Sequence, residues 1–189
     1  MKKEISLESI QKQVNKCKKC ILYKTRTKPV FGDGSLDSKI LFIGEAPGNN
    51  EDLQGIPFVG RAGKLLNELL ESIGINRKDV YIANILKCRP PKNRNPKKDE
   101  IEKCTGYLVN QIKTIDPHLI CPLGNFATQF ILKLYNLKHD KISKIHGQIF
   151  ETNSNQIIIP LFHPAVSIYN PNKKKDLFKD FKKIKELIK

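Results

Sequence analysis

Five cysteines stand in this sequence, at positions 17, 20, 88, 104 and 121. Cys17 and Cys20 form CKKC, a two-residue spacing that turns both thiolates toward one metal centre, and Cys88 and Cys104 can supply two further ligands. Four thiolates suit a structural zinc ion or a 4Fe-4S cluster by ligand type alone, although zinc sites more often close with a second tight pair, which is missing here. Spacing therefore leaves zinc, a cluster and unrelated free thiols all open. An odd cysteine count without an export signal argues against a disulfide framework. Cys121 lies in the apolar run HLICPLG and reads as an inert core residue. Between Cys88 and Cys104 the chain runs RPPKNRNPKKDEIEK, too polar for a buried strand, so something outside the segment must hold it.

Other side chains capable of chemistry follow short apolar runs. The stretch GEAPGNNEDLQGIPFVGRAG, residues 44–63, is long for a strand-to-helix connection, which favours binding over mere linkage. Asn84 ends VYIANI, and His163 precedes Pro164 in FHPAV. Taken singly, Asn84 reads equally as a cap or turn residue, His163 as a satisfied structural histidine and Phe58 as plain core. GRAGK suggests a nucleotide loop, but Leu65 follows the lysine where the phosphate-binding pattern needs Ser or Thr.

The elements that must position these residues alternate along the chain. KILFIG (39–44), VYIANI (80–85), HLICPLG (118–124) and QIIIPLF (156–162) read as buried strands. Between them, GKLLNELLESIG places Leu65, Leu66, Leu69, Leu70 and Ile73 on one helical face, with Gly74 suited to the C-cap. A second helix is expected over NPKKDEIEKCTGYLVNQIKTI, capped by Asn95 with Pro96 at its first position. NFATQFILKLY and the terminal KKKDLFKDFKKIKELIK complete the helices, and GQIFETNSNQIIIP suggests a hairpin turning at residues 153–155. Such alternation predicts an α/β fold, a three-layer α/β/α sandwich around a mostly parallel four-stranded sheet. Ligands in such sheets bind at the carboxyl ends of the strands, where the 44–63 loop, Asn84, Gly124–Asn125 and FHPAV would converge.

At 189 residues and 39% hydrophobic, the chain is sized for one domain spanning 1–189. Lys and Arg total 34 against 19 Asp and Glu, a formal charge of +15 concentrated partly in PPKNRNPKK and NKKKDLFKDFKKIK. A polyanion is the natural partner, although a lysine-rich surface also arises without any ligand. No window approaches the roughly 20 apolar residues of a membrane span, and MKKEISLESI carries charges where a signal peptide is apolar. A cytoplasmic monomer is expected.

GEAPGNNED, GIPFVGRAG, NILKCRPPKNRNP and HPA, in this order and with CKKC ahead of them, resemble the motifs of family 4 uracil-DNA glycosylases, the iron-sulfur members of that superfamily. The resemblance covers nearly the whole chain. It implies the three-layer fold, a 4Fe-4S cluster on Cys17, Cys20, Cys88 and Cys104, and excision of uracil from DNA. It places Glu45, Ala46 and Pro47 against the base, Phe58 as the stacking platform, Asn84 as the reader of the base edge, and His163 as donor to uracil O2. Other superfamily members carry Asp or Asn at the position of Ala46, so the water-positioning carboxylate falls to Glu45 or Glu51. After HPA this chain has VSIYNP where relatives carry a leucine- or arginine-containing segment, which leaves the minor-groove wedge unassigned. Lys92, Arg94, Lys97, Lys173, Lys174 and Lys175 are the expected phosphate contacts. The cluster then acts as a staple that pins the cationic segment between Cys88 and Cys104. The rival reading is a non-catalytic iron-sulfur or zinc DNA-binding module, which explains charge and cysteines but gives Phe58, Asn84 and His163 no purpose.

Overall fold

The computed structural model describes residues 6–188; residues 1–5, part of the MKKEISLESI reading, and Lys189 of the expected terminal helix lie outside them. Four strands carry the centre of the sheet: β2 (Ile40–Gly44), β3 (Tyr81–Asn84), β4 (Leu119–Pro122) and β6 (Ile157–Ile158). All four run parallel, in the order β3-β2-β4-β6, and every residue of β2, β3 and β4 is buried, as near-continuous apolar runs require. Two-residue strands, β1 (Asp33–Gly34) and β5 (Phe150–Glu151), add antiparallel edges, so the sheet has six strands where four were expected. A strand as short as β1 has no alternating pattern to announce it. Its place depends on close backbone approach, since a Cβ on Gly34 would lie 1.9 Å from the Val80 carbonyl. The expected hairpin is β5–β6, with Asn155 at φ 60 in its turn. β6 ends before Pro160, which has no N–H to donate, and the pairing resumes where Leu161 N donates to Pro122 O at 2.9 Å.

Side chains alternate along the strands and so create two cores. Leu41, Ile43, Ala83 and Ile120 pack on one face against α1 (Leu7–Asn15), α4 (Lys98–Ile115) and α5 (Gly124–Leu134). Ile40, Phe42, Ile82 and Cys121 pack on the other, against α3 (Arg61–Ser72) and α8 (Pro171–Leu187). Helix, sheet and helix are the three expected layers, and Cys121 is fully buried in the second core. Short helices α2 (Asn49–Gln54), α6 (Ile142–Ile145) and α7 (Pro164–Ile168) sit in the connections.

Helix α4 begins later than its sequence suggests. Lys97, not Asn95, is the N-cap, with Lys97 N donating to Glu100 Oε2 at 2.8 Å. Glu100 also accepts from both terminal nitrogens of Arg94, at 2.9 and 2.5 Å, so a buried carboxylate three residues into the helix sets the start. Helix α8 begins at Pro171 rather than Lys173, because the Asn170 side chain accepts from the amides of Asn172 and Lys173. Helix α1, capped by Ser6, was not foreseen; its buried Leu7, Ile10 and Val14 follow helical spacing.

Candidate active site and cysteine pocket

The carboxyl ends of the parallel strands bring together the residues that the sequence scatters. Gly44 ends β2 directly opposite Asn84 at the end of β3. A Cβ on Gly44 would lie 2.3 Å from Asn84 Oδ1 and 2.8 Å from the Phe58 ring, so this glycine lets the two side chains close on one another. His163 follows β6, and its ring stacks on Phe58 with centroids 5.6 Å apart and planes 29° apart. Glu45, Ala46 and Pro47 continue from Gly44 at the same edge; Pro47 is buried, Glu45 and Ala46 half-buried.

Asn84 is 2% exposed, yet its Oδ1 has no hydrogen-bond partner among the described residues. A buried acceptor left bare costs free energy on the order of 1–3 kcal/mol, so the pocket wants a donor from outside. His163 forms the N-cap of α7, and its Nδ1 accepts from Ala165 N at 3.1 Å. Accepting at Nδ1 places the proton of a neutral imidazole on Nε2. Burial pushes the His163 pKa down to about 4, partly opposed by the charge of Glu51, so the ring is neutral near pH 7 and keeps one N–H to give.

Phe58 adopts φ 51, a left-handed conformation that bulky residues rarely hold. Glu51 Oε1 accepts from the amides of Val59 and Gly60, at 3.0 Å each, just after it. One oxygen of Glu51 is thus committed to shaping the turn. Glu45 is different: burial raises its carboxyl pKa, and its side chain makes no hydrogen bond among the described residues.

The four cysteines expected to act together line one pocket, with Val14, Leu22, Arg26, Lys87 and Tyr107 around them. Cys17 and Cys20 come from the connection after α1, Cys88 from the segment after β3, and Cys104 from the second turn of α4. Among the described residues no three Cys, His, Asp or Glu side chains are gathered closely enough to hold a single metal ion. Four thiols around one cavity supply the donor type that a structural zinc ion or an iron-sulfur cluster takes. Burial raises the Cys20, Cys88 and Cys104 pKa values, Cys104 to about 11. N–H donors nevertheless face the sulfurs: Arg26 Nη1 lies 3.1 Å from Cys88 Sγ and Lys87 N 3.3 Å from Cys104 Sγ.

Two cations that sequence reasoning missed connect the regions. Lys87 is 1% exposed, and its Nζ donates to Asn84 O at 2.9 Å and to Gln111 Oε1 at 2.6 Å, tying the end of β3 to α4. Arg89 donates to Asn93 Oδ1 at 2.7 Å and to Asn49 Oδ1 at 2.6 Å, which joins the cysteine segment to the loop after β2. The expected phosphate contacts divide. Lys92, Lys97 and Lys175 are exposed. Arg94 is engaged by Glu100, Lys174 by Glu68 at 3.1 Å, and Lys173 lies 4.0 Å over the Phe162 ring.

The profile of the Uracil DNA glycosylase superfamily matches residues 31–186. The chain is similar to the type-4 uracil-DNA glycosylase of Archaeoglobus fulgidus, 49% identical over 185 residues, 96% of this chain and 93% of the relative. It is likewise similar to that of Saccharolobus solfataricus, 46% identical over 97% of this chain and 87% of the relative, and to that of Thermotoga maritima, 41% identical over 99% and 97%.

Proposed function

Because the chain belongs to the uracil DNA glycosylase superfamily, we propose that the edge formed by Gly44, Phe58, Asn84 and His163 is where uracil is held while its glycosidic bond is cut. The enzyme is a uracil-DNA glycosylase: it hydrolyses the N-glycosidic bond of uracil in DNA, leaving an abasic site for repair.

One observation carries the assignment of the pocket, the bare Oδ1 of Asn84. Uracil N3–H is the donor that this buried acceptor lacks, and the amide nitrogen beside it can donate to uracil O4. Cytosine presents the reverse pattern, an acceptor at N3 and a donor at N4, and meets the same amide acceptor to acceptor. A base must leave the duplex to reach such a site, and Phe58 offers a face for it to stack on. As the bond breaks, negative charge gathers on the uracil ring. Neutral His163, with its proton on Nε2, is positioned as a donor that strengthens its bond to O2 as that charge grows. Glu45 is the better candidate to orient the water and face the cationic sugar, since one oxygen of Glu51 already holds the Phe58 turn. Ala46 and Pro47 complete the wall beside it.

Cys17, Cys20, Cys88 and Cys104 are assigned to a 4Fe-4S cluster, a reading supported by their shared pocket. Hydrolysis needs no electron transfer, so the cluster would supply a cross-link that pins residues 88–104. Lys92, Lys97 and Lys175 are assigned to phosphates, with Lys173 and Lys174 able to join them on leaving their present partners; Arg94 is assigned to holding its own loop through Glu100. No described helix is long and apolar enough to cross a membrane. The test is single-turnover incubation with uracil- and cytosine-containing oligonucleotides, followed by alkali. Cleavage at uracil alone is expected, lost in Asn84→Asp; wild-type cleavage in that variant removes Asn84 from the role.

A further inference from the structure

Phe58 holds a left-handed conformation beside Gly44 and His163, and something must make that conformation the stable one. The two amides that follow it are fixed by Glu51. The two carbonyls beside it are fixed by one side chain from elsewhere in the chain. Arg77, in the turn before β3, donates from Nη2 to Pro57 O at 2.6 Å and from Nη1 to Phe58 O at 3.1 Å. A planar guanidinium presents its N–H groups as a rigid fork and so holds two neighbouring carbonyls in one fixed orientation, whereas the donors of an ammonium rotate. The same two nitrogens reach Asn67 Oδ1 at 3.2 Å and Asp33 Oδ2 at 3.5 Å, so the guanidinium itself is braced against α3 and β1. Space is equally exacting on the far side, where a Cβ on Gly63 would lie 1.8 Å from Phe58 O.

We propose that Arg77 is a positioning residue for base excision: it clamps the carbonyls of Pro57 and Phe58 and so holds the Phe58 ring against His163 as a preformed stacking face. Without the clamp, the Phe58 backbone relaxes toward the ordinary right-handed or extended regions and carries its ring away from Gly44 and His163. Arg77 touches no reacting atom. Its effect on excision passes through Phe58, and the inference rests on the reading of Phe58 as the platform.

A double-mutant cycle separates this from a general contribution to folding. Single-turnover excision of uracil from an oligonucleotide is measured for wild type, Phe58→Ala, Arg77→Ala and the double variant, with thermal unfolding followed in parallel. Arg77→Ala is expected to slow excision by about tenfold or more, since small misplacements of a positioning group cost that much. In the Phe58→Ala background the same change is expected to cost less than about twofold, because there is no ring left to position. Added guanidinium ion should restore part of the Arg77→Ala rate and none of the Phe58→Ala rate. Should Arg77→Ala fail to fold, Arg77→Lys enters the same cycle, retaining the charge but not the fork. An equal loss in both backgrounds, or wild-type rates in Arg77→Ala, overturns the clamp while leaving the platform standing. Wild-type rates in Phe58→Ala overturn the platform itself and the clamp with it.

Discussion

Asn84 of the base pocket and Cys88 of the cysteine pocket are only four residues apart, yet the two pockets are built in opposite ways. The base pocket takes its shape from main chain. Gly44 and Gly63 admit neighbours that no side chain would permit, and Glu51 and Arg77 hold the amides and carbonyls around Phe58 from two sides. Within it one buried acceptor, Asn84 Oδ1, has no partner among the described residues. The cysteine pocket takes its shape from side chains. Its thiols come from three segments of the chain; burial opposes the ionisation of Cys20, Cys88 and Cys104, while N–H donors point at the sulfurs of Cys88 and Cys104. Under the cluster assignment proposed above, filling this site and folding its walls are one equilibrium, because bound metal stabilises the thiolates that burial disfavours. On that assignment the pre-shaped site governs rate and selectivity, and the cysteine site governs folding.

That contrast fails or hardens under four measurements. The largest effect is expected from Cys104→Ala, which removes a ligand from the second turn of α4. It should lose iron, sulfide and soluble yield together, with folding free energy reduced on the order of several kcal/mol. A colourless variant with wild-type melting would make the cysteine pocket as self-supporting as the base pocket. Next is Asn84→Asp, which keeps an oxygen but lacks the donor for O4; uracil excision should fall by about three orders of magnitude or more, with iron content and melting unchanged. A parallel loss of iron would merge the two sites, through Lys87, into one.

His163→Ala should slow the chemical step by about two orders of magnitude while sparing DNA affinity, as seen by single-turnover rates beside equilibrium binding. With a folded pKa of about 4, His163 stays neutral as the pH falls from 8 to 5, and its titration should not depress the rate in that range. Stability has the opposite sensitivity. Between about pH 6.5 and pH 4 the unfolded chain takes up a proton that folded His163 refuses, so stability should fall with acidification there. His163→Gln should lose less over that window. The smallest effect concerns surface charge: neutralising Lys92, Lys97 or Lys175 should each reduce the salt slope of DNA binding by about one. Arg94→Gln should leave the slope nearly unchanged and lower the melting temperature instead, because Arg94 is bound to the buried Glu100.

The apolar runs of the sequence determined the parallel sheet, its two cores and the edge at which Gly44, Asn84 and His163 meet, because burial on both faces demands uninterrupted Val, Ile and Leu over a few residues. Cys121 was legible in the core for the same reason. Residue type and spacing also exposed the cysteines as a set. What periodicity could not convey is pairing across the chain. The start of α4 depended on Arg94 reaching Glu100, which outweighed the capping signal at Asn95 and Pro96. Lys87 reads in the sequence as one more cation, and only the tertiary structure buries it between Asn84 and Gln111. Arg77 clamps a turn 19 residues before it, Arg26 reaches Cys88 across 62 positions, and Gln111 reaches Phe31 across 80. Local pattern records which face of an element is apolar. Which polar group satisfies which other is decided only when the layers close, because a buried donor accepts whatever partner the fold brings within about 3 Å.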